Sequence, residues 1–448
     1  MTAPQECKDT RLLSPGIDGQ AGVTGDATTL RIKFSPATIA YLALIAATTL
    51  FAPSSASAQQ EMVLHSFNGP GDAGLPAGGL VMDKAGNPYG MSTSGGAYGA
   101  GAVYELSAHG NEKILYSFNV GAGDGGYPAG SLIFDNQGNL YGATNAGGSG
   151  LSGTVFELTP QGNGVWTERI LHSFKPNPPD GYQPYAGLVR DKSGNLYGTT
   201  SEGGSGACSH GCGVVYELSP QAGGVWSAKV IHSFNGFPTD GQGPIASLVV
   251  DAAGNLYGTT VAGGTVSQYE SGTVFELSPD GSGGWTENIL HSFSSIGTEG
   301  YDLDGSVTLD SAGNVYSTTN SGGTYSYGTL FELSPSTGGN WTETILHNFG
   351  GPGDGRTPES GIVFDASGNL YGTASVGGDN TKGPNYGSVY EMTPSSGGTW
   401  NETILFSFSG KDGYGPNFGV IRDSKGNLYG TTEYGGAYSA GTAFEVIP

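Results

Sequence analysis

Positive charge is scarce in this sequence. Its 448 residues hold 16 Lys and Arg against 39 Asp and Glu, a formal net charge of −23. No basic cluster interrupts that balance, so phosphate backbones and anionic lipid are repelled and nucleic acid is excluded as a partner. Long apolar runs are scarce too. The run "ATIAYLALIAATTLFA" (Ala37–Ala52) has 16 residues, short of the roughly 20 that span a bilayer comfortably. Arg31 and Lys33 precede it and Ala56-Ser57-Ala58 follows, the layout of a secretory signal peptide cleaved after Ala58. Cleavage would leave no membrane-inserted segment, and the product would be secreted or periplasmic. Residues 1–29 are long and polar for the region before such a run, which points to a translation start near Leu30.

Cysteine occurs three times. Cys7 falls in the segment expected to be removed, leaving Cys208 and Cys212 in "ACSHGCG". An even pair in an exported chain reads as a disulfide closing a small loop. A metal site with His210 is the rival, but two Cys and one His lack a fourth ligand. Helical periodicity is absent, as are H-E-x-x-H, G-x-S-x-G, the phosphate-binding loop and the dinucleotide fingerprint.

What the chain does have is glycine, 82 residues of it, with 24 prolines and regular spacing. The phrase "DKSGNLYGTTSEGG" (Asp191–Gly204) recurs with its Asp at 83, 135, 191, 251, 310, 365 and 423, about 57 residues apart. Each unit parses into four short β segments. Strand A precedes the Asp, strand B is the "NLYGTT" run, strand C is "GTVFELSP" and strand D is "WTERILHSF". The expected single domain, 59–448, begins with a lone strand D ("MVLHSF", Met62–Phe67) and finishes with a strand C ("GTAFEVIP", Gly441–Pro448). Complementary halves predict an all-β, seven-bladed propeller of four-stranded blades, closed when the N-terminal strand completes the last blade.

In each repeat the Asp should bind amides of its own turn, with Gly194 at a positive φ. Five histidines, His65, His172, His232, His291 and His347, share one slot of strand D with Tyr116 and Phe406. A slot that takes His, Tyr or Phe asks for a flat ring. Seven strand-C glutamates, such as Glu157 and Glu276, read as partners for neighbouring hydroxyls and amides rather than as a glycosidase pair. The loop into strand A carries "DGxxP" in six units, and unit five departs with "EGYDLDG". There Glu299, Asp302 and Asp304 form a calcium candidate, although the downstream spacing fails the EF-hand pattern. No other cofactor is expected.

Taken in order, "LHSF", "DxxGNLYGTTxxGG" and "GTVFELSP" resemble the tandem GloVer repeat of bacterial exported proteins, also called the choice-of-anchor tandem repeat family. The resemblance runs from Met62 to the end and implies an extracytoplasmic, propeller-like protein; it carries no catalytic set with it. Function would then sit where the repeat is broken. The B-to-C loops vary most and hold Tyr98, Tyr269, Tyr325, Tyr327, Tyr386, Tyr434 and Tyr438, rings that suit a sugar face or a protein partner. The expectation is a monomeric, non-catalytic binding propeller using that face for a glycan or protein. The alternatives are a carbohydrate-active lyase or hydrolase with carboxylates near the central channel, and a purely structural cell-envelope part.

Overall fold

The computed structural model describes residues 60–448 except 177, 267–270, 297, 379–384 and 396–397. The expected leader, Cys7 and Tyr269 lie outside the described residues. Gln59–Pro448 forms one compact unit, and no helix among the described residues is long and apolar enough to cross a membrane.

The recurring Asp phrase is a turn held by one carboxylate. Asp135 Oδ1 accepts the amides of Gln137 (2.8 Å) and Asn139 (2.9 Å), while Oδ2 accepts the Asn139 side chain (2.8 Å) and the Tyr141 hydroxyl (3.2 Å). Gly138 takes φ +87° at the tip, which L side chains avoid. The same turn joins strands A and B in every blade. Blade three serves as the pattern, with strand A at Val189–Arg190, B at Leu196–Thr200, C at Val214–Pro220 and D at Trp226–Ser233. The order is A-B-C-D, antiparallel throughout, and it repeats seven times. In the last blade Gln60–Ser66 supplies strand D, pairing with Thr442–Ile447 so that Met62 faces Glu445. The predicted ring is the observed one.

Adjacent residues of strand B feed different cores. Leu196 packs with Tyr141 and Phe174 of blade two, whereas Tyr197 packs with Leu248 and Phe275 of blade four. Both faces of every blade are therefore apolar, and the core is seven clusters, each spanning one seam between neighbouring blades. The glycine in "LYGTT" belongs to this packing: a Cβ on Gly198 would stand 2.3 Å from the Tyr216 hydroxyl.

Every C–D pair carries a bulge just before the strand-D ring, as between Ile170 and His172. A bulge inserts one residue and re-aims the next side chain. It turns the ring into the seam, where His172 meets Phe174 edge-on at 4.7 Å and Phe174 meets Tyr216 at 5.0 Å. The strand-C glutamates take hydroxyl partners, for example Tyr371 Oη donating to Glu391 at 2.7 Å.

Candidate functional site

The D-to-A and B-to-C loops emerge on the same face. Their mutual hydrogen bonds tie each blade to the one before it, as where the Gln183 amide donates to Ser152 O (3.1 Å) and the Thr357 amide to Tyr327 O (2.9 Å). Inside this collar lies a cavity of about 590 Å³ lined by residues of all seven blades. That size falls in the range of small-molecule sites.

One position contributes to its wall from every blade, the residue after the DGxxP proline or its equivalent. Around the ring it is Ala77, Ala129, Tyr185, Ile245, Asp304, Glu359 and Asn417. Repetition stops here. Blades five to seven present two carboxylates and an amide, and Glu433 joins them from the end of the last strand B. Blades two to four present Tyr127, Tyr185 and Ile245, the two tyrosines 49% and 43% exposed. Among the described residues that line the cavity there is no Lys or Arg.

The acidic arc is fixed by neutral donors. Asn320 Nδ2 donates to Asp304 Oδ2 (3.0 Å), Ser375 Oγ to Glu359 Oε1 (3.0 Å) and Asn417 Nδ2 to Glu433 Oε2 (2.9 Å). Asn417 Oδ1 is buried without a hydrogen-bond partner. Burial pushes the Asp304 carboxyl up to about 6, with Asp302 and Glu359 adding repulsion. Glu359 is raised by burial first and then by Glu433 and Asp302. Close carboxyls with raised affinity for protons can offer a donor and an acceptor side by side.

None of the described B-to-C loop tyrosines lines this cavity. Tyr98, Tyr325, Tyr327, Tyr434 and Tyr438 are exposed around it, and Tyr386 is half-buried against the seam between blades six and seven. Some of these rings cover glycine-rich backbone: Tyr325 and Tyr327 lie over Gly350, Arg356 Cζ sits 4.7 Å above the Tyr327 ring, and Tyr434 stacks on Tyr414 at 5.2 Å. Cys208 and Cys212 are disulfide-bonded. The calcium candidate divides, since Glu299 turns away to hydrogen-bond His291 while Asp304 faces the channel. Tyr127, Tyr185, Glu359, Asn417 and Glu433 were not legible as site residues: Tyr185, Glu359 and Asn417 are departures at one position of an otherwise strict turn, Tyr127 lies just before the proline of that turn and Glu433 at the end of a strand B.

The profile described as the Gloeobacter/Verrucomicrobia repeat matches residues 47–268 and again 167–386. No curated protein sequence matches. Among solved structures, an ancestral GH74 enzyme superposes with a TM-score of 0.54 at 12% identity, over 84% of this chain and 48% of the enzyme. A luciferin-regenerating enzyme gives 0.42 at 12% identity (87% and 95% covered). A protein of unknown function from Dyadobacter fermentans gives 0.41 at 11% identity (87% and 100% covered). At such identities the GH74 likeness speaks for the fold alone.

Proposed function

The chain belongs to the Gloeobacter/Verrucomicrobia repeat family, and from that premise we propose that it is an exported binding propeller whose ligand is a glycan seated in the mouth of the central channel. One observation carries the reading. The position after the DGxxP proline is free of the repeat's constraint and turns polar over blades five to seven, as Asp304, Glu359 and Asn417, while blade three places Tyr185 there and blade two adds Tyr127 from just before its proline. Tyrosine faces stack on sugar rings, and fixed carboxylates and amides accept hydroxyl hydrogens. The loop tyrosines Tyr98, Tyr325 and Tyr438 would form an outer rim for a longer chain or a protein partner.

A second reading, a glycan-cleaving enzyme, is favoured by Asp304 alone. A carboxyl with a pKa of about 6 beside Asp302 and Glu359 has the affinity expected of a general acid.

A glycan array probed with the purified protein, with and without calcium, separates these readings. Binding that drops at least tenfold in Tyr185→Ala and in Glu359→Gln places the sugar in the channel mouth. Turnover of a bound glycan that vanishes in Asp304→Asn would convert the binding protein into an enzyme. A blank array, or binding that survives both substitutions, would leave a protein partner or a structural role.

A further inference from the structure

A different cluster lies at the seam of blades three and four. The strand-D bulge aims His232 across the seam, the D-to-A loop brings Asp240 beneath it, and strand D of the next blade contributes Glu287. His232 Nε2 stands 3.4 Å from Asp240 Oδ2 and 3.6 Å from Glu287 Oε1. One donor atom from each residue lies within 4.8 Å of the other two.

These separations are informative. They exceed the 2.7–3.2 Å of an N–H···O hydrogen bond, and both His232 Nε2 and Glu287 Oε1 are buried without a hydrogen-bond partner. Leaving such atoms unpaired is costly. Ligands about 2.0–2.1 Å from a tetrahedral zinc ion stand roughly 3.3–3.4 Å from one another, close to the spacing observed. The Asp240 carboxylate is also held from outside, accepting the Asn235 amide (2.8 Å) and side chain (3.3 Å) on Oδ2. Orienting bonds of this kind are what metal-ligating carboxylates carry.

Other seams show what the same positions do when they close on themselves. Between blades four and five Asp is replaced by the longer Glu299, which reaches His291 and hydrogen-bonds it directly. Between blades two and three, Ala228 occupies the position of Glu287 and only the His172–Asp180 contact is formed. At the seam of blades three and four the aspartate stops 3.4 Å from the imidazole and the third group is present; the same trio recurs as His65, Asp72 and Glu112 and as His347, Asp354 and Glu402, but in the latter Asp354 closes on His347 at 3.1 Å.

We propose that His232, Asp240 and Glu287 bind one divalent ion of the zinc class, with water as the fourth ligand. The imidazole selects zinc, cobalt or nickel over calcium. The site would tie strand D of one blade to strand D of the next.

The test uses the full chain stripped with chelator and titrated with zinc chloride, and separately with cobalt chloride. Zinc content after gel filtration should fall by one equivalent per chain in both His232→Ala and Glu287→Gln. The visible absorption of tetrahedral cobalt should fall with it, and zinc should raise the melting temperature of the parent but less that of either variant. Glu287→Gln keeps the side-chain shape, so it reports even where His232→Ala fails to fold. Zinc content and cobalt spectrum unchanged by Glu287→Gln would overturn the proposal. So would a parent that retains no zinc, and His232 would then be an imidazolium shared by two carboxylates.

Discussion

At the scale of single residues, the seams hold carboxyls where water is scarce. Glu61 and Glu168 are each pushed up to about 7, first by burial and then by a facing aspartate, Asp412 and Asp124 respectively. Each has a buried Oε1 with no hydrogen-bond partner. In an unfolded chain such a group titrates near 4.3. The folded state therefore binds more protons between about pH 4.5 and 7, and stability falls as pH rises through that window. Asp83 and Asp365 act in the opposite sense. Although burial raises them, the amides and side chains of Asn87 and Asn369 hold them below the usual aspartate range, so stability is lost as pH drops through their folded pKa values. Maximum stability is expected near pH 5. Replacing Glu168 by Gln should raise unfolding free energy by about 1 kcal/mol at pH 8, after allowing for solvent screening, and change little at pH 5. Denaturant titration at the two pH values checks it, and an equal gain at both would refute the assignment.

At the scale of the element, strand D joins two functions that the sequence pattern separates. The ring slot was readable, because His, Tyr and Phe alternate in it. Its carboxylate partners were not, because Asp180 sits in a loop and Glu287 enters from the next repeat. The seam of blades two and three tests the packing half most directly, since no glutamate faces His172 and Asp180 is its one carboxylate contact among the described residues. His172→Phe, the residue blade six already uses as Phe406, should alter stability by less than about 0.5 kcal/mol. His172→Ala removes the ring that meets Phe174 at 4.7 Å and should cost about 1–2 kcal/mol. Thermal melts of the two variants settle it; equal losses would mean that the imidazole matters as a charge and not as a ring.

At the scale of the whole molecule, what repeats was legible and what differs was not. Blade number, strand order and ring closure all follow from phrases written seven times, and the Asp turn follows from one of them. The channel mouth depends on Tyr185, Asp304, Glu359 and Asn417, single positions from different blades that only closure of the ring brings together. Closure rests on the Gln60–Ser66 strand and on contacts such as the Phe67 amide donating to Gly441 O at 3.0 Å. Deleting 60–66 would expose the edge of Thr442–Ile447 to pairing with other chains. A loss on the order of 5 kcal/mol, or roughly 5 °C in melting temperature for a chain of this size, is expected, with light scattering reporting association. An unchanged melting temperature and no association would mean that the ring does not depend on this strand.

The same closure also sets a clock. The two strands that meet in the last blade lie more than 370 residues apart, and ribosomes extend chains at about 5–20 residues per second. Met62 therefore waits on the order of 20–80 s for Glu445 to exist. Until then the first blade lacks its neighbour across the seam that contains Phe67 and Tyr104, and the nascent chain remains an open arc. The strand that locks the first is made more than 370 residues after it.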